Sequence, residues 1–429
     1  MTGRRLEVWC FDERAGELVD EADGLRFAYD ASWVARGMPP LSQSLPLDGS
    51  FSSREAIAFF GGLLPEGAPR ELLARQLGVS VGNDFGLLEA LGGDTAGAVS
   101  LLVPGAPPPR AGGDVEWLED HELATLVDEL PSRPMHADED GEFRLSLAGV
   151  QDKLPVVVGD DGRVGLTKGR TPSTHIIKTP IARLPDTVAN EAFSLALGRR
   201  LGIPTTVATP RRVEGRQFLL VERYDRAAEP AGVRRRHQED FGQAMGVPTQ
   251  RKYQSEGGPG LVDLFALLRA AVAVPARDAP QLLSYVALSF LVGNHDAHAK
   301  NYSLLYLPGA RRAVLAPAYD VLSTVAYRKV MPLSRKMAMS IGGEYRPDYV
   351  RPRHLDRLLG DAGLGAASAR RRLRGLADDA PSAARAARDA LRADGWDAPV
   401  LDRLIEIVAE RAGWLAAIAE ASSASARRS

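Results

Sequence analysis

Asp296 and Asn301 stand five positions apart in the polar stretch Gly293-Asn-His-Asp-Ala-His-Ala-Lys-Asn-Tyr302, which follows an apolar helical run and precedes a strand-like Ser303-Leu-Leu-Tyr306. A carboxylate and an amide at that spacing on one loop can serve one pocket, the first accepting a hydroxyl proton and the second offering oxygen to a divalent ion. Asp320, in Ala318-Tyr-Asp-Val321, follows another apolar segment and supplies a second metal ligand. Magnesium prefers hard oxygen donors and keeps several waters, so one amide, one carboxylate and nucleotide phosphates form a sufficient set. Lys178 ends the β-branched run His175-Ile-Ile-Lys178, where a cation can reach α- and β-phosphates. Upstream, Ser146-Leu-Ala-Gly-Val-Gln-Asp-Lys153 places glycine, small residues and a lysine between two strands, a loop whose N–H groups can cradle phosphate. The chemistry implied is phosphoryl transfer from a nucleotide to a hydroxyl.

These groups need a sheet and a helical body to hold them. Strands are expected at 156–158, 175–178, 207–213 and 217–222, forming one twisted antiparallel sheet, with a helix from about Thr187 to Leu201. That helix carries Glu191, placed to pair with Lys178 as the helix-borne Glu does in protein kinases. Val221-Glu-Arg-Tyr-Asp225 leaves the sheet where two lobes would join and is the expected adenine-binding hinge. Apolar residues three and four apart then predict helices over 262–273 and 282–291. The Asp-x-x-x-x-Asn spacing is that of kinase catalytic loops, so an α+β, two-lobed, protein-kinase-like fold is expected.

The amino-terminal part alternates strand-like pieces (6–11, 98–103) with helical ones (54–64), predicting an additional α/β domain. The expected boundaries are 1–105 for that domain, 106–142 for a linker with a connecting helix, 143–239 for the sheet lobe, 240–420 for the helical lobe and 421–429 for a frayed tail. Pro107, Pro108 and Pro109 mark the linker. A length of 429 residues, 45% apolar and 25% charged, fits a multidomain globular protein. The net charge of −2 gives no general attraction to nucleic acid or anionic lipid. Cys10 is the sole cysteine, which excludes an internal disulfide and fits a reducing, cytoplasmic setting. No apolar run approaches the ~20 residues that span a bilayer.

Six blocks resemble the HipA family in order and spacing: 146–153, His175-Ile-Ile-Lys178, Val221-Glu-Arg-Tyr-Asp-Arg226, His237-Gln-Glu-Asp-Phe241, 293–301 and Tyr319-Asp-Val-Leu-Ser323. Ser44-Leu-Pro-Leu47, Phe59 to Gly67 and Gly93-Asp-Thr-Ala-Gly-Ala-Val99 look like that family's first domain, so the resemblance covers nearly the whole chain. It implies a serine/threonine protein kinase using ATP and Mg2+, with Asp296 as catalytic base and Asn301 and Asp320 as magnesium ligands. Lys178 would contact nucleotide phosphates, and Ala148, Gly149, Val150, Gln151, Asp152 and Lys153 would form the phosphate loop. Glu222, Arg223 and Tyr224 would meet adenine; His298, Ala299, Lys300 and Tyr319 would complete the ATP site, with Gln238 at its border. Ser146 matches a serine that the family autophosphorylates to expel the loop. The resemblance further implies a toxin that phosphorylates an aminoacyl-tRNA synthetase, glutamyl-tRNA synthetase being the type, to stall translation and induce dormancy. It also implies a HipB-like helix-turn-helix antitoxin and contact with operator DNA through that partner.

Other readings remain at this level. A small-molecule kinase of the aminoglycoside-phosphotransferase type shares the Asp-x-x-x-x-Asn core but would not be expected to carry the amino-terminal domain. A co-repressor without activity would need a broken catalytic set, and all the core residues are present. His295, Asp296 and His298 could suggest a metal cluster, but no second histidine pair at ligand spacing supports one. The runs Arg234-Arg-Arg-His237 and Arg370 to Arg374 could touch DNA phosphates or simply be solvated faces.

Overall fold

The computed structural model describes residues 3–51, 53–107, 115–132, 136–137, 143–144, 151–167, 171–229, 232–307, 309–310, 312–331 and 333–420. Ser146, Ala148, Gly149, Val150 and the tail 421–429 therefore lie outside the described residues. The chain forms two compact units: Met1–Thr179 with Thr209–Gln250 and Leu305–Ala313, and Pro180–Ala208 with Arg251–Leu304 and Val314–Ser429.

The first unit opens with β1 (Arg5–Cys10), β2 (Glu13–Glu21), β3 (Gly24–Tyr29), β4 (Ser50–Phe51) and β5 (Val99–Leu102), an antiparallel sheet in the order β4-β3-β2-β1-β5. Alternation fixes its buried face: Leu6, Val8 and Cys10 of β1 point inward together. Against that face pack α1 (Ala31–Ala35), α2 (Ser53–Phe60), α3 (Gly67–Leu77) and α4 (Asp84–Leu91), with Phe27, Trp33, Phe59, Phe60 and Phe85 filling the core. The Asn83 side chain accepts the Gly86 N–H and so caps α4.

A six-stranded sheet follows, ordered β12-β13-β11-β9-β10-β6, from β6 (Val115–Trp117), β9 (Lys153–Val158), β10 (Val164–Thr167), β11 (His175–Lys178), β12 (Ala208–Val213) and β13 (Arg216–Glu222). The two-residue strands β7 (His136–Ala137) and β8 (Phe143–Arg144) pair with each other. One face, with Leu154, Val156, Ile177, Phe218 and Leu220, packs on α5 (Asp120–Glu129) through Leu123 and Val127. The hairpin β14 (Arg226–Glu229) and β15 (Gly232–Arg235) leads to β16 (His237–Asp240) and α7 (Phe241–Ala244).

A buried ion network ties the amino-terminal sheet to these strands within this one unit. Arg226 donates to Asp94 Oδ1 at 2.6 Å, Ser173 Oγ donates to Asp94 Oδ2 at 2.7 Å, and Arg223 donates to both Asp225 oxygens at 3.0 and 2.8 Å. Gly97 N–H donates to Asp225 at 2.7 Å, and Arg235 lies 3.3 Å from Asp94. Burial alone would raise the Asp94 and Asp225 pKa values, but the arginines beside them hold both well below the usual range. The 234–237 run is thus no free cationic face: Arg235 and His237 are buried, and Arg234 pairs with Glu229. Arg370 and Arg374 likewise have acidic partners, in Asp356 and Asp378.

The second unit holds α6 (Thr187–Arg200), α8 (Leu261–Ala271), α9 (Pro275–Val292), α10 (Pro352–Asp361), α11 (Ala366–Ala393) and α12 (Pro399–Ile418), with β17 (Ser303–Tyr306) beginning there beside β18 (Val314–Leu315). The expected sheet-lobe boundary of 143–239 differs from this grouping. α6 is buried along almost its whole length and packs on α11 and α12, so it belongs with the helices. No described helix is long and apolar enough to cross a membrane.

Candidate active site

The candidate catalytic-loop residues are placed by the end of α9. Its buried face, with Leu282, Leu288 and Leu291, runs to Gly293, whose φ of 73° turns the chain out of the helix. A Cβ there would come within 2.8 Å of Val325, so the turn requires glycine. Asn294 Oδ1 then accepts the Asp296 N–H at 3.0 Å, and His295 N–H donates to Thr324 Oγ1 at 3.0 Å. Asp296 projects at an exposed position, where its Oδ1 accepts from the Tyr253 hydroxyl at 2.8 Å.

Asn301 and Asp320 meet: Asn301 Nδ2 lies 3.3 Å from Asp320 Oδ2, while Asn301 Oδ1 accepts the His298 N–H at 3.0 Å. Asn294 Nδ2 reaches the Asp320 carbonyl at 3.5 Å and so links the Asp296 turn to the second carboxylate. Asp320 has φ of 56°, left-handed backbone that non-glycine residues rarely hold and that aspartate tolerates better than most. Asn190 of α6 fixes the segment that follows, accepting the Ser323 N–H at 2.8 Å and donating to the Ser323 carbonyl and Tyr327 hydroxyl at 3.0 Å. The Tyr319 hydroxyl donates to the Lys300 carbonyl at 2.7 Å. Glu191 is buried in α6, and Ala299 is buried beside His298.

The Asn301–Asp320 pair suits a hard cation: an amide and a carboxylate converge with no sulfur or imidazole between them. The amide oxygen would have to turn toward Asp320 to ligate. His298 is buried, and burial, followed by Lys252 and Lys300, pushes its pKa down to about 3. Among the described residues no group of three His, Cys, Asp or Glu could hold a metal.

In the first unit, Lys178 of β11 stands directly opposite Lys153 of β9 in register. Both therefore lie on the sheet face opposite the α5 core. Apposed like charges repel, and an anion against that face offsets the cost. Gln151 Nε2 donates to the Thr179 carbonyl at 2.7 Å and Thr179 N–H to the Asp152 carbonyl at 3.3 Å, which anchors the end of the expected phosphate loop. Burial raises the Asp152 pKa. Glu222 ends β13 at an exposed position. The Arg223 guanidinium is consumed by the Asp94–Asp225 network, and its backbone N–H donates to the Thr174 carbonyl at 3.0 Å while its carbonyl accepts the Arg226 N–H at 3.2 Å. The Tyr224 hydroxyl donates to Gln238 Oε1.

Tyr253, Asn294 and Asn190 were not among the residues expected from sequence. Tyr253 alone carried a signal, as an aromatic in the polar, glycine-rich stretch 249–260.

Residues 145–384 match the family model described as HipA-like C-terminal domain, and residues 6–102 match the HipA N-terminal domain. The Sinorhizobium fredii protein Y4mE, named as a kinase, is 44% identical over 88% of this chain and 90% of its own length. The serine/threonine-protein kinase toxin HipA of Shewanella oneidensis is 32% identical over 84% of this chain and 83% of its own. A solved complex of Shewanella oneidensis MR-1 HipA, HipB and operator DNA matches with a TM-score of 0.80 and 29% identity, covering 97% of this chain and 96% of that one.

Proposed function

This chain belongs to the HipA family of kinases, and from that premise we propose that it is an ATP- and Mg2+-dependent serine/threonine protein kinase acting as the toxin of a toxin–antitoxin pair. The observation that carries the reading is the convergence of Asn301 on Asp320 at 3.3 Å beside the turn that projects Asp296. Asp296 accepts the proton of an acceptor hydroxyl as it attacks the γ-phosphorus. Asn301 and Asp320 hold magnesium, which when bound neutralises phosphate charge. Lys178 and Lys153 meet the phosphates, while the 222–224 segment meets adenine. Catalysis on this scheme is positioning and charge neutralisation.

The Shewanella complex supports a HipB-like helix-turn-helix antitoxin as partner, with operator DNA engaged through it. The acceptor protein is an aminoacyl-tRNA synthetase of the glutamyl type, its modification slows translation in the cytoplasm, and phosphorylation of Ser146 ends activity. A phosphate there adds close to two negative charges beside carboxylates and nucleotide, favouring expulsion of the loop. The test is transfer from γ-labelled ATP to purified aminoacyl-tRNA synthetases, to the chain itself and to small aminoglycoside alcohols. Label on synthetase and on Ser146 is expected; label on the small alcohols alone would assign a small-molecule kinase instead.

A further inference from the structure

Arg411 lies in α12 with 2% of its surface exposed, a buried cation answered by no ion pair among the described residues and only at longer range by Glu410 and Asp348. Its Nη1 donates to the Phe290 carbonyl at 2.9 Å, at the C-terminal end of α9, where a cation also meets the negative end of the helix dipole. Its Nη2 donates to His295 Nε2 at 2.9 Å. The guanidinium is flanked by the Phe290 and Trp414 rings, with centroids at 5.6 and 5.4 Å, and its Nε lies near Gly293. One side chain thus spans the joint between α9 and the residue that precedes Asp296.

His295 is built to receive it. A neutral imidazole accepts at one nitrogen only, so the bond from Arg411 to Nε2 leaves Nδ1–H to donate to the Ser334 carbonyl at 3.2 Å. Arg328 Nη2 lies 3.0 Å from Nδ1 and, with that nitrogen protonated, donates to the Ser334 carbonyl at 3.5 Å instead. Burial, then Arg411 and Arg328, keeps the ring neutral, with its pKa pushed down to about 3. The backbone of His295 is held as well, by Thr324 at 3.0 Å and by Ala338 N–H on its carbonyl at 2.8 Å.

We propose that Arg411 is a positioning residue for phosphoryl transfer: by clamping His295 to the end of α9 it fixes the backbone that aims Asp296. This rests on the reading of Asp296 as catalytic base. Arginine is required because its planar fork reaches two acceptors in fixed directions, which an ammonium cannot reproduce.

The test uses the full chain, γ-labelled Mg·ATP, and dephosphorylated casein or the chain itself as acceptor. Arg411→Met should lower kcat about thirtyfold and leave KM for ATP within about twofold, because a misaimed base costs rate and not nucleotide affinity. His295→Leu should lose about as much, and the Arg411→Met/His295→Leu double variant no more than the worse single one, since both remove one clamp. Losses that multiply, or a raised KM with unchanged kcat, overturn the proposal. If Arg411→Met melts below the assay temperature, Arg411→Lys carries the test: it should fold and lose about tenfold in kcat, and full activity overturns the clamp. Asp296→Asn separates the two claims. An active Asp296→Asn protein, or a wild type that labels neither acceptor, removes the underlying reading, whereas an inactive Asp296→Asn beside a fully active Arg411→Met removes only the clamp.

Discussion

The Tyr253 hydroxyl donates to Asp296 Oδ1 across 2.8 Å, with the Tyr253 ring set edge-on to His298 at a centroid distance of 5.4 Å. A phenol thus lies on the carboxylate proposed to take the proton of an acceptor alcohol. Tyr253→Phe keeps the ring and removes the competing donor. KM for a protein acceptor is expected to fall roughly two- to fivefold, the worth of one modest hydrogen bond, with KM for ATP unchanged. Steady-state kinetics on casein checks this; a raised acceptor KM would assign the phenol to holding the acceptor instead.

Asp320 combines a left-handed backbone with the carboxylate that Asn301 meets. Asp320→Asn keeps a residue type that tolerates this φ, so it should melt close to wild type while losing at least about a hundredfold in transfer. Asp320→Ala should lose the same activity and also about 1 kcal/mol of stability from backbone strain. Melting curves and transfer rates against magnesium concentration distinguish the two effects.

Lys178→Met should raise KM for ATP about tenfold or more, and Lys153→Met should have a smaller effect, because Lys178 is the more deeply buried of the pair. Both variants should also gain less thermal stability from added ATP than wild type does. Nucleotide titration and melting with and without ATP provide both readings.

Asp94→Ala leaves Arg223 and Arg226 buried with Asp225 beside them and takes from Arg235 the carboxylate 3.3 Å away. Removing one member of such a network costs about 3–5 kcal/mol, measurable by denaturant unfolding at pH 7. The folded pKa of Asp94 is depressed from 3.8, so its contribution is complete above that value and is lost as pH falls through the lower, folded value. The gap between wild type and variant should therefore narrow only in strong acid.

Glu239 behaves in the opposite sense. Burial raises its pKa from 4.5 to about 7, against hydrogen bonds from Ser42, Tyr306 and Gln43 and with Asp240 nearby adding to the rise. The folded chain keeps a proton that the unfolded chain releases, so between about pH 4.5 and 7 this group costs stability as pH rises. Glu239→Gln should flatten that slope and gain relative to wild type at pH 8 over pH 5.5, read by denaturant unfolding at both values.

Much of the site could be read from the chain because its parts are local. Asp296 and Asn301 share one loop, Lys178 ends a strand whose alternation is visible, and Gly293 marks the exit of an apolar helix, so composition and spacing suffice to find them. Strands β1 and β5 and the helices α8 and α9 follow from periods of two and 3.6 in the same way, whereas β2, β3 and β4 were not among the named pieces. The lone Cys10, buried in β1, was equally plain.

What joins distant segments was decided only in three dimensions. Nothing in residues 249–260 indicates that Tyr253 reaches Asp296, and nothing near residue 411 indicates that its guanidinium holds His295. The apposition of Lys153 and Lys178 depends on strand register, and the placing of α6 with α11 and α12 on which helices cover its almost wholly buried surface. The Arg234–His237 run reads as a solvated face until Asp94, some 140 residues earlier in the chain, is brought beneath it. A sequence period specifies which side of an element is buried; it carries no record of the partner, which is selected by packing and by the need to satisfy each buried charge.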